Sequence, residues 1–158
     1  MKKDAIFSPD RIYRYTLTRL WDEAKPTLLV IGLNPSTADE TIDDPTIRRC
    51  IGFAKRWNFG TLLMGNIFAF RATDPKIMKV HAEPIGEDND IWLIRMNQKA
   101  DMTILAYGNH GKHLKRHQAI IKLISEPYCF KVTKGGMPSH PLYLPYTDKP
   151  LLYEHNVS

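Results

Sequence analysis

Four apolar runs divide the chain. Residues 27–31 and 61–70 are nearly continuous, and 100–107 and 128–133 are shorter. Runs of this kind suit strands covered on both faces. Between them, apolar residues recur at helical spacing: Ile47, Cys50, Ile51, Ala54 and Trp57; then Ile91, Leu93, Ile94 and Met96 within 88–99; then Leu114, Ile120, Ile121 and Ile124. Ahead of all of these, Phe7, Tyr13, Tyr15, Leu17 and Leu20 flank Ser8-Pro9-Asp10-Arg11, a turn composition, and predict a β-hairpin. Strands alternating with helices predict an α/β fold with right-handed crossovers. The expectation is a three-layer α/β/α domain with a short, mainly parallel four-stranded sheet. One domain spans 1–158, with a hairpin at 1–24, a core at 25–145 and a tail at 146–158.

The polar residues that break this pattern fall at or just after strand ends. They are Asn34 to Asp39 after the first run, Asn66 with Arg71, Asn109 with His110, and His140. The carboxyl ends of parallel strands share one edge, where open α/β sheets bind ligands, so these segments should converge on one cleft. Gly32 permits the sharp turn, and Pro35 restrains Asn34 to an extended conformation on a stiff elbow. Taken alone, Asn34-Pro35 is an ordinary turn signal.

Charge and cysteine content narrow the setting. A formal net charge of +5 permits a polyanionic partner without requiring one. Arg11, Arg14 and Arg19 read as solvated side chains protecting an edge hairpin. Cys50 and Cys129 read as buried small hydrophobes in a reducing compartment. With no membrane-length apolar stretch and no apolar signal region, a cytoplasmic location is expected, with no membrane partner.

Nearly the whole chain resembles a family of bacterial and phage proteins known as a domain of unknown function. The resemblance rests on Asn34-Pro35-Ser36-Thr37-Ala38-Asp39, Asp43-Asp44-Pro45-Thr46, the stretch from Asn66 to Pro75, and His140-Pro141-Leu142-Tyr143. In motif order it is also similar to the uracil-DNA glycosylase superfamily, an α/β/α fold with a Gly-x-Asn-Pro loop, an Asn on a later strand and a closing His-Pro. Gly32-Leu33-Asn34-Pro35, Asn66 and His140-Pro141 occupy those places.

That resemblance implies a nucleobase in the cleft, with cleavage of an N-glycosidic bond as the reaction and nucleic acid or a nucleotide as partner. Asn34 would position water, and His140 would hydrogen-bond the leaving base. Asn66 would read the base edge, with Asn109 beside it, and Phe70 or Phe53 would stack on it. Leu142 and Tyr143 stand where the superfamily inserts a wedge into the duplex. Arg48, Arg49, Arg71 and Lys134 are candidate phosphate ligands. The superfamily's cysteine ligands for an iron–sulfur cluster have no counterpart here, and no cofactor is implied.

The residues also admit two other classes of function. Asp39, Asp43 and Asp44 form an acidic loop that would repel a phosphate backbone. It would instead suit Mg²⁺ held against a free nucleotide by a metal-assisted hydrolase or transferase. The plainer reading of the Asp pair is capping of the helix that opens at Thr46. His110, His113 and His117, spaced by three and four, would share one helix side, without the cysteines or carboxylates of a usual zinc site. The third class is a module that binds a base or nucleotide without reacting it.

Overall fold

In the computed structural model, which describes residues 1–154, seven strands form one sheet. The strands are β1 (Lys2–Phe7), β2 (Arg14–Leu20), β3 (Thr27–Gly32), β4 (Thr61–Asn66), β5 (Met102–Leu105), β6 (Tyr128–Cys129) and β7 (Leu151–Leu152). Their order is β1-β2-β4-β3-β5-β6-β7. The expected four-stranded sheet is therefore a seven-stranded mixed one. The central β4, β3, β5 and β6 are mutually parallel, whereas the hairpin joins β4 antiparallel through β2, and β7 joins β6 antiparallel. The last four residues of the expected tail lie outside the described residues.

Side-chain alternation along β3 builds a core on each face. Leu28 and Val30 pack with Ile47, Cys50, Phe53 and Ala54 of α1 (Pro45–Arg56). Leu29 and Ile31 pack with Leu93 and Met96 of α3 (Asn89–Lys99), and with Ile120 of α4 (Arg116–Leu123). Helices thus cover both faces, which is why the central strands are apolar throughout. Both cysteines are buried and free. Among the described residues no helix is long and apolar enough to cross a membrane.

Several local expectations are corrected. β4 ends at Asn66 instead of continuing to Phe70, and β6 covers only Tyr128–Cys129. A short helix, α2 (Pro75–Val80), follows the Asp74 cap whose side chain accepts the Lys76 N–H. The apolar face of α3 is carried by Leu93 and Met96, while Ile91 and Ile94 are exposed. The predicted helix through Leu114 is broken: a 3₁₀ segment (Asn109–Lys115) has non-helical backbone at His113 and Leu114. Leu114 is exposed, whereas Arg116 is buried and pairs with Asp90.

The largest correction concerns the hairpin arginines. β1 is the outer strand and β2 is covered, so Arg14 and Arg19 are 2% and 0% exposed. Arg19 holds the acidic loop through Asp43 Oδ1 at 2.7 Å and the carbonyls of Asp39 and Ile42 at 2.6 and 3.2 Å. The basic residue that sequence reading puts in solvent is the anchor of the loop folded over the hairpin.

Candidate functional site

Register aligns the strand ends. Gly32 pairs with Asn66 across β3 and β4, and Ile31 pairs with Leu105 across β3 and β5. The ladder runs on briefly as Ile67 and Phe68 donate to the Gly32 and Leu33 carbonyls at 2.9 and 3.0 Å. Beyond these ends lies a cavity of about 670 Å³, within the usual range for small-molecule sites. Asn34, Asn66, Asn109 and His140 all line it. Four segments distant in sequence meet there because the parallel strands deliver their following loops to one edge.

The loops are tied to one another across the cleft. Asn34 Nδ2 donates to Ala72 O at 2.7 Å and to Pro35 O at 3.2 Å, while the Ala72 N–H returns to Pro35 O at 2.9 Å. With its nitrogen committed to backbone, Asn34 has only Oδ1 left, an acceptor. On the other side, Thr133 Oγ1 donates to Asn109 Oδ1 at 2.7 Å and the Gly108 N–H to Pro138 O at 2.7 Å. These bonds join the segment after β5 to the segment after β6.

Asn66 is 2% exposed, and its Nδ2 is buried without a hydrogen-bond partner among the described residues. Its backbone is held rigidly from below. Asn89 Nδ2 donates to Asn66 O at 2.8 Å and to Ile67 O at 3.3 Å, and Arg116 Nε donates to Ile67 O at 2.8 Å. A buried amide donor left open costs about 1–3 kcal/mol, so this one, on a braced backbone in the cavity wall, calls for a partner that the described residues do not supply.

His140 Nδ1 accepts the Leu142 N–H at 3.1 Å. That bond assigns the ring proton to Nε2, making the neutral imidazole a donor. Burial lowers the His140 pKa, with Asp44 acting weakly the other way, so the ring is neutral at pH 7. The side chain is accessible because it borders the open cavity, although protein surrounds it closely enough to disfavour its charge.

The acidic loop is accounted for by the backbone around it. Asp39 Oδ1 accepts the Thr41 and Ile42 N–H groups at 2.9 and 2.8 Å, which lowers its pKa. Burial opposes the charge of Asp43, but Arg19 and Lys3 keep its pKa lowered. Asp44 caps α1 by accepting from Ile47 N at 2.9 Å and also accepts from Ala38 N at 3.3 Å. Of the three, only Asp44 lines the cavity. Among the described residues no group of three or more His, Cys, Asp or Glu side chains could hold a metal ion, His110, His113 and His117 included.

Other expected site residues lie elsewhere. Phe70 stacks on His81 at 3.9 Å and, with Arg71, lines a neighbouring cavity of about 570 Å³. Phe53 is in the core, 1% exposed. Arg48 donates to Asp43 O at 3.0 Å, Arg49 lies over the Tyr146 ring at 3.9 Å, and Lys134 borders a third cavity. Leu142 lines the main cavity, while Tyr143 is 92% exposed with φ of 68°.

Sequence reading missed Arg14 and Tyr107, both of which line the main cavity. Tyr107 is 2% exposed with an unpartnered hydroxyl, and burial raises its pKa. Nothing in the local pattern marks Arg14: alternation sets it opposite Tyr13 and Tyr15, and it faces inward only because β2 is covered.

A family model described as protein of unknown function (DUF1643) matches residues 14–142. The chain belongs to the DUF1643 family. No curated protein and no solved structure matches it. The matched span of the DUF1643 chain runs from Arg14 to Leu142, both in the cavity wall, so it takes in every cavity-lining residue named above.

Proposed function

We propose that the cavity binds a nucleobase and that the protein hydrolyses its N-glycosidic bond, in the manner of the uracil-DNA glycosylase superfamily that its motif order resembles. The observation that carries this reading is the unpartnered amide of Asn66 in the wall shared with Asn34 and His140. An amide offers a donor and an acceptor side by side, the complement of a base edge. Neutral His140 supplies an N–H for a base carbonyl, stabilising the negative charge that develops there. Asn34 Oδ1 accepts from a water molecule and orients it.

In the reaction, the bond between the sugar carbon and the base nitrogen breaks, and its electron pair leaves with the base. Water gives its oxygen to the sugar carbon, and the base ends with one added proton. Asn34 cannot take that proton as a carboxylate would, so the chemistry favours bases that leave readily. Aromatic stacking at Phe70 or Phe53 is not part of this reading, since neither lines the cavity. Tyr107 brings an aromatic ring to the wall.

A base-release assay tests this reading. Nucleosides, nucleotides, and single-stranded and duplex oligonucleotides with modified bases are incubated with the protein and analysed for free base. Release that disappears in Asn34→Ala and His140→Ala supports hydrolysis. Saturable binding that needs Asn66, with no release from any substrate, would make the protein a binding module.

A further inference from the structure

Arg14 presents five N–H donors to its surroundings, yet its guanidinium makes one protein hydrogen bond, from Nη1 to Ala38 O at 3.1 Å. Among the described residues Nε is buried without a partner and no carboxylate forms an ion pair with Arg14, which is 2% exposed in the cavity wall. Arg19, equally buried on the same strand, is saturated by Asp43 and four carbonyls, so an open guanidinium is not the rule for this hairpin. Asp44 and Asp39 attract the Arg14 charge from nearby, but neither is hydrogen-bonded to it, and the two Asp44 oxygens hold the Ile47 and Ala38 N–H groups. Arg71 and Arg19 add repulsion to a cation that burial already disfavours, and the pKa of Arg14 falls to about 10.

We propose that Arg14 is an anion subsite that receives the phosphate of a nucleotide. The proposal deepens the nucleobase reading, on which the identity of the ligand rests. A planar guanidinium with parallel N–H groups matches phosphate oxygens in pairs, and such charge-assisted bonds are the strong ones inside a low-dielectric wall. Pro45 and Thr46, at the start of α1, line the same cavity beside the Asp44 carboxylate that already caps the helix, so the charge that an incoming anion meets there is carried by Arg14. The four expected phosphate ligands lie outside this cavity, and among the described residues Arg14 is the arginine or lysine in its wall.

Calorimetric titration of the full chain with nucleosides, their 5′-monophosphates and inorganic phosphate decides this. Monophosphates should bind about tenfold or more tightly than the matching nucleosides, and Arg14→Met should remove that margin while leaving nucleoside affinity largely intact. Inorganic phosphate should raise the melting temperature of the wild type and not of Arg14→Met. Should Arg14→Met fail to fold, Arg14→Lys, which keeps the charge but not the fork, should narrow the margin.

Equal affinity for nucleosides and monophosphates, or a margin that survives in Arg14→Met, overturns the subsite. So does an absence of binding to every probe. A phosphate response that requires Arg14 but ignores Asn66→Leu would keep the subsite and defeat the nucleobase reading instead. Nucleoside binding that requires Asn66, with no gain from phosphate, would do the reverse.

Discussion

A Cβ added at Gly32 would lie 2.9 Å from Oδ1 of Asn66, its register partner across β3 and β4. The glycine is required by the amide beside it, and so the turn after β3 and the polar group at the end of β4 form one device. Gly32→Ala should push the Asn66 side chain out of position, with an overpacking cost of about 1–3 kcal/mol. Ligand affinity should fall further than stability does. Denaturant melts alongside nucleoside titrations would show this, and equal losses in both would speak against the device.

Asn66→Leu separates binding from folding. The substitution removes an unpartnered buried donor, so it should leave stability unchanged or raise it by roughly 1 kcal/mol. Nucleobase affinity should drop about 10- to 100-fold, the scale of one or two lost hydrogen bonds in a buried site. A large loss of stability in chemical denaturation would instead make Asn66 a structural amide.

The acidic loop should behave as scaffold. Arg19→Met would leave Asp43 half-buried without its main partner and three or more carbonyls open, costing about 3–5 kcal/mol. Mg²⁺, Mn²⁺ or a chelator should leave the melting temperature of the wild type unchanged. A rise on adding either ion, lost in Asp39→Asn, would restore the metal-dependent alternative.

Much of the site was legible because its signal is periodic. Asn66 ends an apolar strand, and Asn34, Asn109 and His140 lie in the loops that follow the other three, so a parallel sheet brings them to one edge, and the central strands are parallel. What stayed hidden depends on which strand is outermost. Arg14 and Arg19 read as solvated only if the hairpin is an uncovered edge, and the loop over β2, held by Arg19 itself, has no local pattern that announces it. Similarly, Arg116 looks solvent-facing on a regular helix, but the break at His113 and Leu114 turns it inward towards Ile67 O and Asp90. Phe70, at the end of the apolar run 61–70, enters the expected site only through the resemblance, which calls for an aromatic ring to stack on the base. The strand ends four residues earlier, and the ring turns to His81.

Acid should weaken both fold and binding, in that order of breadth. Burial lowers the pKa values of His110, His117 and His140 below their ordinary 6.5. Between that value and the lower folded values, the unfolded chain binds more protons than the folded one, so stability rises with pH and is lost as pH falls below about 6.5. His140→Gln should shallow this slope. Nucleobase affinity should decline over the same acidic window as the His140 ring becomes charged, and its acid limb should vanish in His140→Gln. Titrations at a series of pH values would reveal a flat wild-type profile if the neutral imidazole plays no part.

The side-chain amide of Asn66 offers the most direct test of a nucleobase in the cavity. Its Nδ2 resonance can be assigned in ¹⁵N-labelled protein by its absence in Asn66→Leu, and followed by NMR as nucleobases and nucleosides are added. A nucleobase in the cavity should give a saturable shift of that resonance for at least one base, together with slowed exchange of its protons as the open donor gains a partner. An Asn66 resonance that stays fixed across the whole panel, at concentrations where binding is otherwise detected, would contradict it.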